Sequence, residues 1–378
     1  MPPRRVLIII LTLLSLLHAY IGWRVLPDLP APMTVRLLAG LWLAVSLALI
    51  PTGLLAHAIQ RQPLADRLAW AGLLALGMFS SLLVLTFLRD VVLLLAALAG
   101  LQTATLTATS ATAVLLLGAL ITLIGFINAR RTATVVDVEI PISDLPDALH
   151  GFTIVQISDI HVGPTIKRRY LDEIVDAVNR LEADMVAVTG DLVDGSVHRL
   201  APHTKPLSRL RARYGSYFVT GNHEYYSNVH DWIAEIRSLG LTVLMNEHVV
   251  VHHRGSALLV AGVTDYSAHR FDPAHRSDPH AALAGAPPDV AVRILLAHQP
   301  RSAAAAADAG FDLQLSGHTH GGQFFPWNFF VPLQQPYTAG LNRLKQLWVY
   351  TSRGTGYWGP PKRFGAPSEI TRVRLMRG

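Results

Sequence analysis

Hydrophobic and polar positions divide the chain near residue 130. Before it, four long stretches are almost free of charge: Val6–Tyr20 running on to Trp23, Val35–Ile59 with Arg36 near its start, Leu68–Leu88, and Ala111–Ile127. Each approaches the ~20 residues that a helix needs to cross a bilayer. Four such stretches in succession outweigh the alternative of buried helices in a water-soluble fold. Val91–Thr109 is ambiguous. It extends the third helix past Arg89 and Asp90, forms a short interfacial helix, or adds a fifth crossing. No Ala-x-Ala site follows the first stretch, so a cleaved signal peptide is a poor reading. Arg4-Arg5 reads as a positive flank rather than a twin-arginine export signal.

Beyond Arg130 the period changes. Thr134–Ile140 alternates like a strand. Short apolar runs predict further strands at Phe152–Ile157, Met185–Thr189, Tyr217–Thr220, Val249–His253, Leu258–Val263, Ile294–Ala297, Leu313–Leu315 and Leu347–Tyr350. Leu171, Ile174, Val175, Val178 and Leu181 predict a helix over 170–181. Asp231–Leu239 predicts another, ended by Gly240, and the Ala-rich Ser302–Ala309 a third. There is no internal repeat. The expected organisation is a membrane domain of about four transmembrane helices over 1–131, then an α/β domain over 132–378.

Composition agrees with a chain that partly avoids water: 51% of residues are apolar and only 15% charged. The absence of Cys excludes disulfides, thiolate metal sites and a cysteine nucleophile. A net charge of +6 suits nucleic acid or an anionic membrane surface. Lys205, Arg209, Arg211 and Arg213 lack interleaved aromatics and read as a solvated face, so no nucleic acid is expected as a partner. With four spans, Arg4-Arg5, Arg61 with Arg67, and Arg130-Arg131 share one side, against Arg24, Arg36 and Arg89 on the other. The positive-inside rule then predicts a multi-pass cell-membrane protein with its C-terminal domain in the cytoplasm. A fifth span would invert that side.

Candidate chemistry lies where the strands end. Ser158-Asp159-Ile160-His161, Gly190-Asp191-Leu192-Val193-Asp194, Gly221-Asn222-His223-Glu224, His298-Gln299 and Gly317-His318-Thr319-His320 each follow an apolar run. In open α/β sheets functional groups gather at the carboxyl ends of strands, so five clusters can converge. Carboxylate, carboxamide and imidazole suit Mn, Fe, Zn or Mg. Two metals about 4 Å apart need a ligand inventory of this size with one bridging carboxylate. Taken singly, an Asp-x-His pair is a surface or turn pair, Asn-His-Glu a helix cap and Gly-His-Thr-His a loop. The five in this order leave those readings little room.

These blocks resemble the calcineurin-like metallophosphoesterase superfamily over about residues 134–378, and more narrowly a membrane-associated bacterial branch similar to the YkuE and YaeI phosphoesterases. The resemblance implies two packed mixed β-sheets flanked by helices. It implies two divalent metal ions, the first on Asp159, His161, Asp191 and His320, the second on Asp191, Asn222, His298 and His318. It implies hydrolysis of a phosphodiester or pyrophosphate by a metal-bridging hydroxide, with His223 as general acid oriented by Asp194. A turn-capping role beside Gly195 is the alternative for Asp194, and Glu224 reads as structural. The alternative for the whole chain is a non-catalytic or regulatory phosphoesterase fold attached to a membrane sensor or transporter. Intramembrane charges would mark that; His18 and His57 are the chief ionisable groups within the apolar stretches and are read as lying near helix ends.

Other features divide in two. Gly354-Thr355-Gly356-Tyr357-Trp358-Gly359 matches a dinucleotide fingerprint, but Pro360-Pro361 argues against a following helix. Arg353 reads either as a phosphate contact or as a surface arginine. His252, His253, His269, His275 and His280 read as solvated. The loop after His320 carries Phe324, Phe325, Trp327, Phe329 and Phe330, and the pair Tyr357-Trp358 lies further on. These rings either fill a small core or dip into the membrane interface, where they would bring a lipid phosphoester substrate to the metals.

Overall fold

The computed structural model describes residues 4–59 and 61–378. Two compact units emerge. One holds the residues up to Ile127 together with Gly359–Lys362; the other holds Asn128–Trp358 and Arg363–Gly378.

The first unit is built from four helices long and apolar enough to cross a bilayer: α1 (Arg4–Val25), α2 (Met33–Leu54), α3 (Leu64–Leu98) and α4 (Ala104–Arg130), the last turn of α4 belonging to the second unit. Gly53 and Gly72 bring α2 and α3 together, since a Cβ on either would overlap the other's backbone. Small residues permit such approach where no hydrophobic force drives helices together in lipid. At 35 residues, α3 is about 52 Å long, well beyond a ~30 Å hydrocarbon core. Of the three possibilities for Val91–Thr109, the first holds for its beginning: residues to Leu98 continue α3, and α4 starts at Ala104. No separate helix lies between α3 and α4.

Two expectations need correction here. His18 lies within α1, not near its end; it is buried, stacks on Phe79 at 4.2 Å, and places Nε2 3.0 Å from Ser46 Oγ. The helices also hold charge: Arg24 pairs with Asp90 at 2.8 Å and the buried Arg89 with Asp28 at 2.5 Å. Each charge has a partner of opposite sign, which lowers the cost of holding them in an apolar setting.

The second unit is a four-layer α/β/β/α domain. One six-stranded sheet has the order β1 (Thr134–Ile142), β12 (Glu369–Arg377), β2 (Thr153–Ile157), β3 (Met185–Val188), β4 (Ser216–Phe218), β5 (Thr242–Val243). The other has the order β10 (Gly340–Leu344), β11 (Leu347–Thr351), β9 (Leu313–Ser316), β8 (Val292–Leu296), β7 (Ser256–Gly262), β6 (Glu247–His253). Both are mixed: β2 to β5 run parallel, as do β7, β8, β9 and β11, with antiparallel pairs at β12–β2, β6–β7 and β10–β11. All four residues of β3 are buried, as expected of a strand covered on both faces. Ile154, Ala187, Val260, Ile294, Leu315 and Val373 pack between the sheets.

Helices cover the outer faces. In α5 (Arg168–Asn179), Leu171, Ile174, Val175 and Val178 form the buried stripe predicted for 170–181. α6 (Val197–Thr204), α7 (Asn222–Tyr226) and α8 (Val229–Ser238) follow, and α9 (Ala303–Ala309) covers the second sheet. β12 is absent from the sequence reading; Val373 and Leu375 face the core between the sheets, and Ile370 joins the core on the other face. His253, expected to be solvated, is buried with Nδ1 3.0 Å from Tyr214 Oη.

Candidate metal centre

The five polar clusters do converge. Asp159 and His161 follow β2, Asp191 and Asp194 follow β3, Asn222 and His223 open α7 after β4, His298 follows β8, and His318 and His320 follow β9. The first three come from one sheet and the last two from the other. Gln156 Nε2 bonds across the sheets to Ser316 O at 2.9 Å, at the level where these strands end.

Backbone conformation is unusual at the same positions. Asp159, His161, Asp191, His318 and His320 all have positive φ, between 51° and 72°. Left-handed backbone costs energy for any residue with a Cβ and clusters at functional sites. It turns each chain sharply enough to aim two side chains into one volume. Gly317 is obligatory for a steric reason: a Cβ there would overlap the Asp159 carboxylate and Ser158 Oγ.

Ligand-type atoms form two groups. Asp159, His161 and His320 offer atoms within 4.8 Å of one another, as do Asp191, His298 and His318. His161 Nε2 faces His320 Nε2 at 3.1 Å, and His298 Nε2 faces His318 Nδ1 at 3.1 Å. Asp191 Oδ2 sits between the groups, 3.2 Å from His298 Nε2 and 3.9 Å from both His161 Nε2 and His223 Nε2. Hydrogen bonds from behind select the tautomers. His298 Nδ1–H donates to Thr189 O at 2.7 Å and His161 Nδ1–H to Asp194 Oδ1 at 3.0 Å, leaving each Nε2 lone pair directed into the site.

The residues fit divalent metal ions. Asn222 Oδ1 is buried with no hydrogen-bond partner among the described residues, as an oxygen reserved for a metal would be. Burial pushes the Asp159 carboxyl up. Burial also opposes charge on Asp191, yet His298 and His223 hold it well below the usual carboxylate range. Burial, then neighbouring His298, push His318 down to about 3, and burial with Arg363 holds His320 well below the usual imidazole range. Burial opposes a cation on His298, but Asp191 beside it raises this imidazole well above its usual range; a divalent metal would take the place of that proton, since imidazole and carboxylate together are its donor set.

His223 differs from its neighbours. Its Nδ1 lies 2.6 Å from Asp194 Oδ1, so one carboxylate oxygen serves both His161 and His223. Burial disfavours its cation, but Asp191 and the Asp194 hydrogen bond prevail and raise it to about 9. Tyr226 and Trp358 stand edge-on to its ring at 5.2 and 5.7 Å. Glu224 is structural: its carboxylate accepts the N–H of Gly221, Asp191 and Leu192, tying two site loops together.

The calcineurin-like phosphoesterase family matches residues 152–322, the segment that carries every cluster but the aromatic loop. The uncharacterized metallophosphoesterase YkuE of Bacillus subtilis is 31% identical over 245 residues, covering 61% of this chain and 81% of that one. The chain belongs to the calcineurin-like phosphoesterase family. Proteins named "Transmembrane protein with metallophosphoesterase domain" from Danio rerio and Bos taurus are 41% and 42% identical over 70% and 68% of this chain. The chain spans 62% and 60% of their own length.

Arg363 escaped the sequence reading. It is fully buried and lies against the phosphoesterase centre, its guanidinium donating to the carbonyls of His320, Arg353, Ala366 and Gly356 at 2.6 to 3.2 Å. Nothing in Pro-Pro-Lys-Arg signals burial. Arg353 is not an unpaired surface charge: it pairs with the buried Glu369 at 2.8 Å and stays partly exposed. No helix follows Gly359, consistent with dismissal of the dinucleotide fingerprint. Arg209 bridges Asp172 and Asp176 on a solvated face.

Proposed function

We propose that this protein is a membrane-anchored phosphoesterase that hydrolyses a phosphodiester or pyrophosphate with two divalent metal ions. The observation that carries the reading is the convergence of ligand-type atoms in two groups, Asp159 with His161 and His320 and Asp191 with His298 and His318, beside which the buried Asn222 Oδ1 has no hydrogen-bond partner among the described residues. Asp159, His161, Asp191 and His320 would hold one ion, and Asp191, Asn222, His298 and His318 the other. When bound, such ions supply an activated hydroxide and neutralise charge on the phosphate oxygens. His223, protonated through neutral pH, faces the site with Nε2 and donates a proton to the departing oxygen. Asp194 holds that imidazole in the donating orientation and stabilises its cation. Mn, Fe, Zn and Mg all suit this donor set.

The substrate we favour is a phosphoester embedded in a membrane. Of the aromatic loop, only Phe324 is buried; Phe325, Trp327, Phe329 and Phe330 are exposed, and Leu333 beyond them is 80% exposed. Rings that filled a core would not be left in water. A domain tethered by helices through Arg130-Arg131 would seat such a loop in the interface, where Trp and Phe are stabilised. Changing Trp327 and Phe329 together to Ser is expected to cut hydrolysis of phospholipid vesicles about tenfold or more and to leave a soluble aryl phosphodiester unchanged. Equal loss on both substrates would overturn the lipid reading, as would no loss on either.

We place the catalytic domain in the cytoplasm, on four spans and the basic residues flanking them. A C-terminal reporter is expected to be active only when its activity requires the cytoplasm. Activity confined to the outside would overturn this orientation.

A further inference from the structure

A second cluster of metal-binding side chains stands apart from the centre just described. His230 opens α8, and Asp272 and His275 lie in the irregular segment between β7 and β8. Each offers one ligand atom, all three within 4.8 Å of one another. Asp272 Oδ2 is 3.5 Å from His230 Nε2 and 3.8 Å from His275 Nε2. Tetrahedral zinc with ligands at about 2.0–2.1 Å needs ligand–ligand separations of about 3.3–3.5 Å, so a small closure completes the site. Other atoms of Asp272 and His275 are already tied down. Asp272 Oδ1 accepts from Ala274 N at 2.9 Å, which keeps Oδ2 available. His275 Nδ1 lies 3.0 Å from Tyr225 Oη, and Thr264 Oγ1 donates to His275 O at 2.8 Å. With Nδ1–H donating to the tyrosine oxygen, the His275 lone pair is on Nε2, toward the cluster.

We propose that His230, Asp272 and His275 form a peripheral site for one borderline divalent cation, zinc foremost. Two imidazoles and a carboxylate are a ligand set for zinc, and the exposed side leaves a fourth position for water. The site has a route to the phosphoesterase centre. Tyr225, which holds His275, belongs to the same short helix as Asn222 and His223. Loading the site fixes the His275 ring and, through the tyrosine, the helix that carries the proposed general acid.

The test counts metal in the full chain in detergent, using zinc alone as the probe. In an Asp191→Asn/His318→Ala background, chelated and then equilibrated with zinc, one zinc per chain is expected to remain at this site. Adding His230→Ala should lower the count by one, and His275→Gln should do the same. His230 is mostly exposed, so its removal leaves folding intact, which near-ultraviolet circular dichroism would verify. Tyr225→Phe should keep the site but weaken it about tenfold to a hundredfold. Equal zinc counts with and without His230 would overturn the proposal. The comparison stays valid if the principal centre is misassigned: the background count would then be higher, while the difference of one would persist.

Discussion

Asp191→Asn is expected to lower metal-dependent hydrolysis of an aryl phosphodiester by roughly a thousandfold or more while leaving the protein folded. The carboxylate stands between the two groups of imidazoles, its Oδ1 accepting from His223 N at 2.9 Å and its Oδ2 facing His298. Asn can still accept that backbone bond, so the loop survives, but the negative charge that two cations would share is gone. His318→Ala should cause a comparable loss and reduce bound metal. His223→Ala separates the roles. It should keep the metal count and lose about 10²–10⁴-fold in kcat, most steeply for substrates with poor leaving groups, because a proton donor matters most where the departing oxygen is basic. Steady-state kinetics with metal analysis checks all three. Unchanged turnover in Asp191→Asn or His318→Ala would overturn the two-metal centre, and lost metal in His223→Ala would overturn the acid assignment.

Arg363→Ala should be the most destabilising single substitution next to the site. It leaves the carbonyls of Arg353 and Ala366 without the donor that now reaches them in the interior, while His320 O keeps the Gln323 N–H at 3.0 Å. Stranding buried acceptors costs about 1–3 kcal/mol each, and partial relaxation brings the expected total to about 3–5 kcal/mol. A domain of this size loses about 2–4 °C per kcal/mol, so the melting temperature should fall by about 10 °C. Arg363→Lys should recover little, since an ammonium cannot reproduce the planar fork that reaches carbonyls in several directions at once. A fall of under about 2 °C in Arg363→Ala, followed by thermal melting in detergent, would show that the guanidinium is not what holds this loop.

Much of the architecture was legible because it is written in local period. The uncharged stretches before residue 130 and the short apolar runs after it are properties of neighbouring residues, and the helices and strands formed where those periods lie. The polar clusters were legible for the same reason: each follows its strand directly, and strand ends in a mostly parallel arrangement point to one edge. β12 could have been read too, from Val373 and Leu375 alternating with Arg372 and Arg374.

What only the tertiary structure decided are relations between residues distant in the chain. Asp194 serves His161 and His223 through one oxygen, and that sharing depends on how β2, β3 and β4 pair. Arg363 and His253 are buried, and the rings from Phe325 to Phe330 are exposed, against what their residue types suggest. Burial is set by which surfaces other segments cover, and a hydrophobic or charged side chain does not carry that information itself. His230 and His275 looked like ordinary polar residues of separate segments until folding set them around Asp272. Local physics determines which elements a sequence can form; long-range packing determines which of its side chains meet, and in this protein the chemistry resides in those meetings.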